Sequence, residues 1–458
     1  MTVVMEQGIV AGIDELRAQL QGIALVEGND GYDERRAVFN GRFDRHPAVI
    51  VVPVETGDVA AAIRFAKAND LAVAVKSGGH GSAAWAVPAG GMMIDLSGWK
   101  SAEVDPIAKT VRAQPGLTSG ELNAATMAHG LTVPTGKVGS VGIGGMTLGG
   151  GIGWLARKHG LAIDHLRSVE IVTGDGEIRV ASEQENPDLF WGVRGAGATL
   201  GVVTSFEFDL VPMDTVLAGL VAYRLDLAPQ VIQAYRALTA DAPEELTSIV
   251  ALATMPEAPS MVMVVVTWCG DLAEGERVLA PIRSIATPMM DMIAPMPYGA
   301  LQAKLSEMVP AGFSHEGKSA YVSGCSDELF LTMVEHYRSA VIAPMSVMFI
   351  EHYGGAVSRV ADDAMAFGNR DREFNLLLET GWVDPSHEAA STAWLNDAWE
   401  AVRPYTVPAA YVNFLDVCDS HRAVEAFGAD KYRRILDLKA IYDPRGIFRS
   451  NPVTPVLP

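Results

Sequence analysis

The stretch Gly136-Lys-Val-Gly-Ser-Val-Gly-Ile-Gly-Gly-Met-Thr-Leu-Gly-Gly-Gly-Ile-Gly153 is half glycine, and upstream of it Ser77-Gly78-Gly79-His80-Gly81 repeats the texture. Glycine loses more conformational freedom on ordering than any other residue. A dense run therefore marks backbone that must take positive φ or lie close against a flat surface. Backbone N–H groups exposed in such loops suit a diphosphate. The flanking residues are hydrophobic and strand-like rather than Ser/Pro-rich, which separates the pattern from a flexible linker. Two ordered glycine loops imply one large ligand.

The rest of the composition narrows the class. A chain of 458 residues exceeds the size at which single cores usually stop growing, so two domains are expected. With 49% hydrophobic and 20% charged residues, it reads as a soluble, loop-rich mixture of helix and strand. The formal charge of −20 argues against nucleic acid and anionic membrane as partners, since both need clustered Lys and Arg. Cys269, Cys325 and Cys418 are odd in number and lack CxxC spacing, so reduced thiols are expected rather than a disulfide framework or a metal site. The first residues, Met1 to Gly8, lack the basic and apolar regions of a secretion signal, and no apolar run is long enough to span a bilayer. Cytoplasmic residence is the default expectation.

The first half alternates strand and helix. Ala48–Val54 is a buried strand by composition, Asp58 a candidate N-cap for an amphipathic helix over Val59–Ala68, and Leu71–Val75 a second strand. His80 lies just beyond that strand, where ligands of such sheets gather. Gly91–Ser97 and Thr110–Gln114 are strand-like, and a helix is expected around Ser119–Ala128. Leu166–Thr173 and Glu177–Val180 flank Gly174-Asp175-Gly176 as a hairpin, and a glycine turn at Gly197–Gly201 feeds a strand to Phe208. Glycines thin out near Leu210–Met213, which places a domain boundary there. Beyond it, strands such as Met261–Thr267 alternate with Ala/Leu/Met-rich helices.

Two readings of His80 stay open from spacing alone: a histidine that caps a turn, or an imidazole that touches or covalently joins the ligand. Gly151-Ile-Gly153-Trp-Leu-Ala156 nominally fits a dinucleotide-binding fingerprint, but a glycine run rather than a clean strand precedes it.

A longer ordered set carries a resemblance. It comprises Pro53…Thr56-Gly-Asp58, Ser77-Gly-Gly-His80, Gly142-x-Gly-Gly145-x-x-x-Gly149-Gly-Gly151-x-Gly153 and Lys158-His-Gly160-Leu161-Ala162. Pro187-Asp-Leu-Phe-Trp191…Arg194-Gly-Ala-Gly197 and Gly201-Val-Val203-Thr follow. The C-terminal part adds Tyr411-Val-Asn413-Phe414, Tyr432, and Tyr442-Asp443-Pro444-x-Gly-x-Phe448-x-x-Asn451. In order and spacing this resembles the berberine bridge enzyme-like FAD-linked oxidases of the vanillyl-alcohol oxidase/para-cresol methylhydroxylase superfamily, over nearly the whole chain.

The resemblance implies an α+β, two-domain PCMH-type FAD-binding fold whose substrate domain is an antiparallel sheet flanked by helices. It implies an FAD domain over 1–211, a substrate domain over 212–415, and a return to the FAD domain over 416–458. His80 matches the histidine bonded to the flavin. The family's Cys-Pro-Thr-Val pattern reads Val138-Gly139-Ser140-Val141 here, so no second, cysteinyl bond is expected and the type is mono-covalent. Val141 falls at a position associated with oxygen access. Cofactor contacts are implied for Lys76, Ser77, Gly78, Gly79, His80, Gly81, Val138, Gly139, Val141, Gly142, Gly144, Gly145, Leu148, Gly149, Gly150, Gly153, Gly201, Val203, Asn413 and Asn451.

Tyr411 matches a tyrosine that faces the flavin from the substrate side, although an aromatic in a core strand would read the same way. A polar residue that faces substrate in the family falls at Leu377, which implies a more apolar pocket. Glu379, Tyr353 and His352 are the remaining polar candidates, with Tyr411, Glu379 and Tyr353 named as catalytic. An amine substrate would need no strong base. An alcohol or sugar would need a proton acceptor, for which a tyrosine of lowered pKa is the expectation. The implied reaction is hydride transfer from a small or medium organic molecule to FAD with reoxidation by O2 to H2O2. A dehydrogenase or oxidative cyclase is the alternative. The protein is expected to be a monomer or homodimer.

Overall fold

The apolar runs near the N-terminus pair as their strand–helix rhythm requires. In the computed structural model, which describes residues 12–254, 259–308, 311–339 and 346–453, β1 (Ile23–Leu25), β2 (Val49–Val52), β3 (Val73–Lys76) and β4 (Met92–Asp95) form a sheet of order β1-β2-β4-β3. β2, β4 and β3 run parallel and β1 is an antiparallel edge. The helix Thr56–Ala68 links β2 to β3, and its Val59, Ile63 and Ala66 share a core with Val49, Val51, Val73 and Ile94. The expectation that Asp58 caps this helix is corrected: the helix starts three residues earlier, at Thr56, with Glu55 at the N-cap. The buried Asp58 carboxylate instead accepts the backbone N–H groups of Gln21 (2.7 Å), Gly22 (3.0 Å) and Val54 (2.9 Å). It thereby ties the chain entering β1 to the end of β2.

β5 (Ala102–Asp105), β6 (Thr110–Ala113), β8 (Leu166–Thr173), β9 (Ile178–Ser182) and β10 (Gly201–Asp209) make a second, antiparallel sheet of order β5-β6-β10-β8-β9. Between β6 and β8, Thr118 and Glu121 close a capping box on the helix Ser119–Met127, and β7 (Leu131–Thr132) pairs with β11 (Val211–Pro212). The C-terminal helix Ala429–Tyr442 returns to this half, where Ile435 and Leu438 join the core around Phe190, Val203 and Phe206. Beyond it, the Ile447 carbonyl accepts from Val73 N at 2.8 Å, and Ile447 and Phe448 complete the core of the first sheet.

The third sheet holds β12 (Thr215–Arg224), β13 (Leu246–Ala253), β14 (Met261–Trp268), β15 (Met290–Asp291), β16 (Ala294–Pro297), β17 (Ser314–Val322), β18 (Val347–His352) and β19 (Phe374–Trp382). Its order is β15-β12-β14-β13-β18-β19-β17, with β16 also paired to β12. One face is covered by the helices Ala228–Ala240, Leu272–Arg283, Asp327–Arg338 and Glu388–Val402, which bury Val250, Val264, Ile350 and Leu378. The other face rests against the first half through Trp154 and Leu155, packed with Ile249 and Met263. Burial on both faces accounts for the unbroken apolar run Met261–Thr267.

Cys269 and Cys325 are free thiols, and burial pushes them up to about 11 and about 12 respectively. The side chain of Cys418 and the first eight residues, on which the leader reading rests, lie outside the described residues. Among the described residues no helix is long and apolar enough to cross a membrane.

Replacing Asp58 by Ala leaves three backbone donors near β1 and β2 without an acceptor. The expected loss is about 2–4 kcal/mol, read as a lower thermal midpoint. An unchanged midpoint would show that water replaces the carboxylate at no cost.

Candidate active site

The two glycine loops meet each other before they meet anything else. A Cβ on Gly142 would lie 2.2 Å from Gly78 N, and one on Gly78 would lie 2.4 Å from Gly142 N. Ser77 Oγ fixes the contact by donating to the Pro115 carbonyl at 2.5 Å. Together the loops wall a cavity of about 640 Å³, within the range of about 300–1,000 Å³ usual for cofactor and ligand sites. At Gly81 and Gly145, which line it, a Cβ would meet nothing within 4 Å. The buried Trp85 Nε1 and His315 Nε2 on the same lining have no partner among the described residues. Open backbone faces and unpaired polar atoms are what a large polar cofactor would cover.

The cavity gathers most of the expected cofactor residues: Ser77, Gly78, Gly79, His80, Gly81, Val138, Val141, Gly142, Gly144, Gly145, Leu148, Gly149, Gly201, Val203, Asn413 and Asn451. The others stand behind it. Lys76 turns away and donates to the carbonyls of Arg35 (2.5 Å) and Ala37 (2.7 Å). Gly139 N donates to Gln302 O at 3.2 Å, so this glycine seats the large sheet's helix Tyr298–Met308. A Cβ at Gly150 would strike the Phe367 ring at 2.6 Å, and one at Gly153 the Thr135 carbonyl at 1.7 Å. These glycines serve close packing.

His80 is half-buried and stacks on Phe39, with ring centroids 4.0 Å apart, while His315 meets the same ring edge-on at 5.6 Å. Burial, helped by His315, pushes the His80 imidazole from its ordinary 6.5 down to about 4, so it is neutral near pH 7. Asn40, fully buried, joins the His80 loop to β17: its Nδ2 donates to Ser82 O (2.7 Å) and His315 O (2.8 Å), and its Oδ1 accepts from His315 N (3.1 Å).

Facing the loops is one face of the third sheet. Strand register sets Ala251, Phe349, Leu377 and Ser319 in one row, and Ile249, Glu351, Asn375 and Tyr321 in the next. Leu377 lines the cavity, paired in register with Phe349. Glu379 also lines it and pairs with His315 Nδ1 at 3.1 Å.

Tyr411 is buried on the lining; its hydroxyl accepts from Asn413 Nδ2 (2.9 Å) and Gly151 N (3.2 Å). Burial nevertheless raises this phenol above its ordinary value. Tyr353 lies behind the lining and donates to Glu351, and burial followed by the Glu351 charge pushes it well up. The expected tyrosine of lowered pKa is therefore corrected: in an enclosed wall, desolvation outweighs the donors around the phenol oxygen. His352 points off the cavity, stacked on Phe374, and burial and Arg157 push it down to about 3.

Glu351, Lys137, Phe349 and Trp154 line the cavity and were not anticipated. The first and third were readable in principle, because Val347, Phe349 and Glu351 alternate along one strand. Lys137 and Trp154 reach the wall only through tertiary placement of the glycine loop.

Comparison with known proteins agrees with this geometry. A family model for the FAD binding domain matches residues 47–182, and one for berberine and berberine-like proteins matches residues 410–452. FAD-linked oxidoreductase OXR1 of Pyricularia oryzae is 30% identical over 89% of this chain and 84% of its own length. The (R)-6-hydroxynicotine oxidase of Paenarthrobacter nicotinovorans is 28% identical over 94% of this chain and 96% of its own. The crystal structure of 6-hydroxy-D-nicotine oxidase from Arthrobacter nicotinovorans superposes with a TM-score of 0.85 at 25% identity, covering 94% of this chain and 97% of that one. With the cradle, the paired sheets and these matches together, the chain belongs to the berberine bridge enzyme-like family of FAD-linked oxidoreductases.

Proposed function

We propose that the protein is an oxidase that carries FAD linked covalently through His80, with no second cysteinyl bond, and oxidises a small or medium organic molecule at the expense of O2. One observation carries this reading: a single cavity brings His80, the glycine cradle and one face of the antiparallel sheet together. FAD, when bound, supplies a two-electron acceptor for a substrate hydride and returns the electrons to O2 as H2O2. In this reading residues 1–211 with 416–458 hold the cofactor and 212–415 supply the substrate wall.

The chain's own groups divide the remaining work. Neutral His80 has a free nitrogen lone pair, the state a covalent link requires. Gly81 and Gly145 offer backbone without side chains to the cofactor, and Gly149 leaves room for the Asn413 amide, whose Oδ1 a Cβ would approach to 2.0 Å. Phe349, Leu377 and Ile249 give the substrate an apolar surface and exclude water. Tyr411, neutral and fixed by Asn413 and Gly151, orients the substrate through its hydroxyl. Glu379 with His315 is the acceptor for a substrate proton where the substrate is an alcohol. The (R)-6-hydroxynicotine oxidase relative suggests an amine or other nitrogen compound as the first class to screen, by peroxide release in air against reduction of an artificial acceptor. Peroxide as the main product supports the oxidase reading; turnover only with the artificial acceptor identifies a dehydrogenase.

In acid-precipitated wild-type protein the yellow colour stays in the pellet, and in His80→Ala it moves to the supernatant. Colour that persists in the variant's pellet would falsify the His80 link. Covalent incorporation of FAD into apoprotein should hold as pH falls from 7 and fail only near the His80 value of about 4. Failure already near 6.5 would mean an exposed imidazole. Tyr411→Phe is expected to keep the flavin spectrum and lower kcat/KM by about 10²-fold, at the low end of what a positioned hydroxyl contributes. Unchanged kinetics would remove Tyr411 from the reaction.

A further inference from the structure

Lys137 leaves the glycine loop and places its ammonium among groups from other elements. Its Nζ donates to Glu351 Oε1 on β18 and lies over the rings of Tyr353 at 5.4 Å and Trp154 at 6.0 Å. The second oxygen of Glu351 accepts from the Tyr353 hydroxyl and from Asn375 Nδ2 at 3.4 Å. Trp154 is fixed in turn, because its indole N–H donates to the Lys137 carbonyl at 3.1 Å. The side chains of Lys137 and Glu351 are only 15% and 3% exposed, yet both residues and Trp154 line the cavity. A carboxylate with two aromatic faces around one nitrogen is the chemistry that binds organic ammonium ions.

We propose that this cage is an ammonium-binding site filled by the chain's own Lys137, and that the internal cation closes it to a second ammonium ion. The inference rests on the reading that substrate enters this cavity in front of FAD. A second cation at the same carboxylate would meet the Lys137 charge at short range in a poorly screened wall. An uncharged molecule meets a neutral pair. Truncating Lys137 leaves Glu351 as a buried charge without its partner, a strongly unfavourable state. An external ammonium of matching length relieves it.

The experiment takes the holoenzyme variant Lys137→Ala at mildly alkaline pH and adds n-propylammonium, the severed part of the side chain. Thermal midpoint and flavin absorption are the readouts. The variant's midpoint is expected to fall and to recover saturably with n-propylammonium, with a change in the flavin band that the wild type lacks. Equal concentrations of n-propanol or sodium chloride leave it low. The double variant Lys137→Ala/Glu351→Gln loses the response. If the single variant does not stay folded, the yield of yellow protein refolded with n-propylammonium, against n-propanol, reads the same site. Recovery that is absent, or equal with salt or alcohol, overturns the cage. A wild type that is itself colourless faults the cofactor reading instead, whereas a yellow wild type with an unrescued variant faults the cage alone.

Discussion

The contact between Gly78 and Gly142 fixes the geometry on which everything else in the site depends. Either residue with a Cβ would place an atom closer than 2.5 Å to the other's backbone nitrogen, so the two loops can touch only as glycine on glycine. That contact joins the end of a parallel strand, which carries His80, to the loop that carries Val138, Val141 and Gly145. Ser77 and Pro115 lock it from one side, and the packing of Gly153 against the Thr135 carbonyl holds the far end of the run. Because backbone meets backbone, the distance is set by atoms that have no rotamers to relax.

The opposite wall is held with comparable economy of freedom. The Asn40 amide bonds both the His80 loop and β17, so the histidine and the third sheet are positioned by one buried side chain. Gly139 accepts the helix Tyr298–Met308 against the loop, through its own N–H and the Ser140 N–H to Ser306 Oγ at 3.1 Å. The cavity between the two walls is thus bounded by segments far apart in sequence, tied by hydrogen bonds rather than by a shared strand.

Much of this was legible in the residues. Strand and helix periodicity located β2, the helix after it, β3, and the hairpin of β8 and β9, since those elements have their own hydrophobic period. Glycine density located the cradle but could not sort its members. Whether a glycine opens on the cavity, as Gly145 does, or packs on a ring, as Gly150 does on Phe367, is decided by what lies across the gap, which is distant in sequence. Asp58 looked like a cap because its type and position fit one; the backbone donors of Gln21, Gly22 and Val54 claimed it instead. The phenols misled in the same manner, because the sign of a pKa shift depends on enclosure, and a sequence does not display enclosure.

The character of the substrate wall follows from its register more than from its composition. Leu377 stands between Phe349 and Ser319, and its neighbours along β19, Leu376 and Leu378, point into the helix-covered core. A slip of one residue would exchange those sets entirely. Two carboxylates on the wall have a nitrogen partner, Glu351 with Lys137 and Glu379 with His315, while burial keeps His80 neutral and raises the Tyr411 phenol. The buried Glu351 carboxylate thus faces the cavity with its charge already compensated by Lys137. In the proposed reading, selectivity at that wall rests on apolar shape at Phe349, Leu377 and Ile249, and on which polar group can compete with a partner already in place.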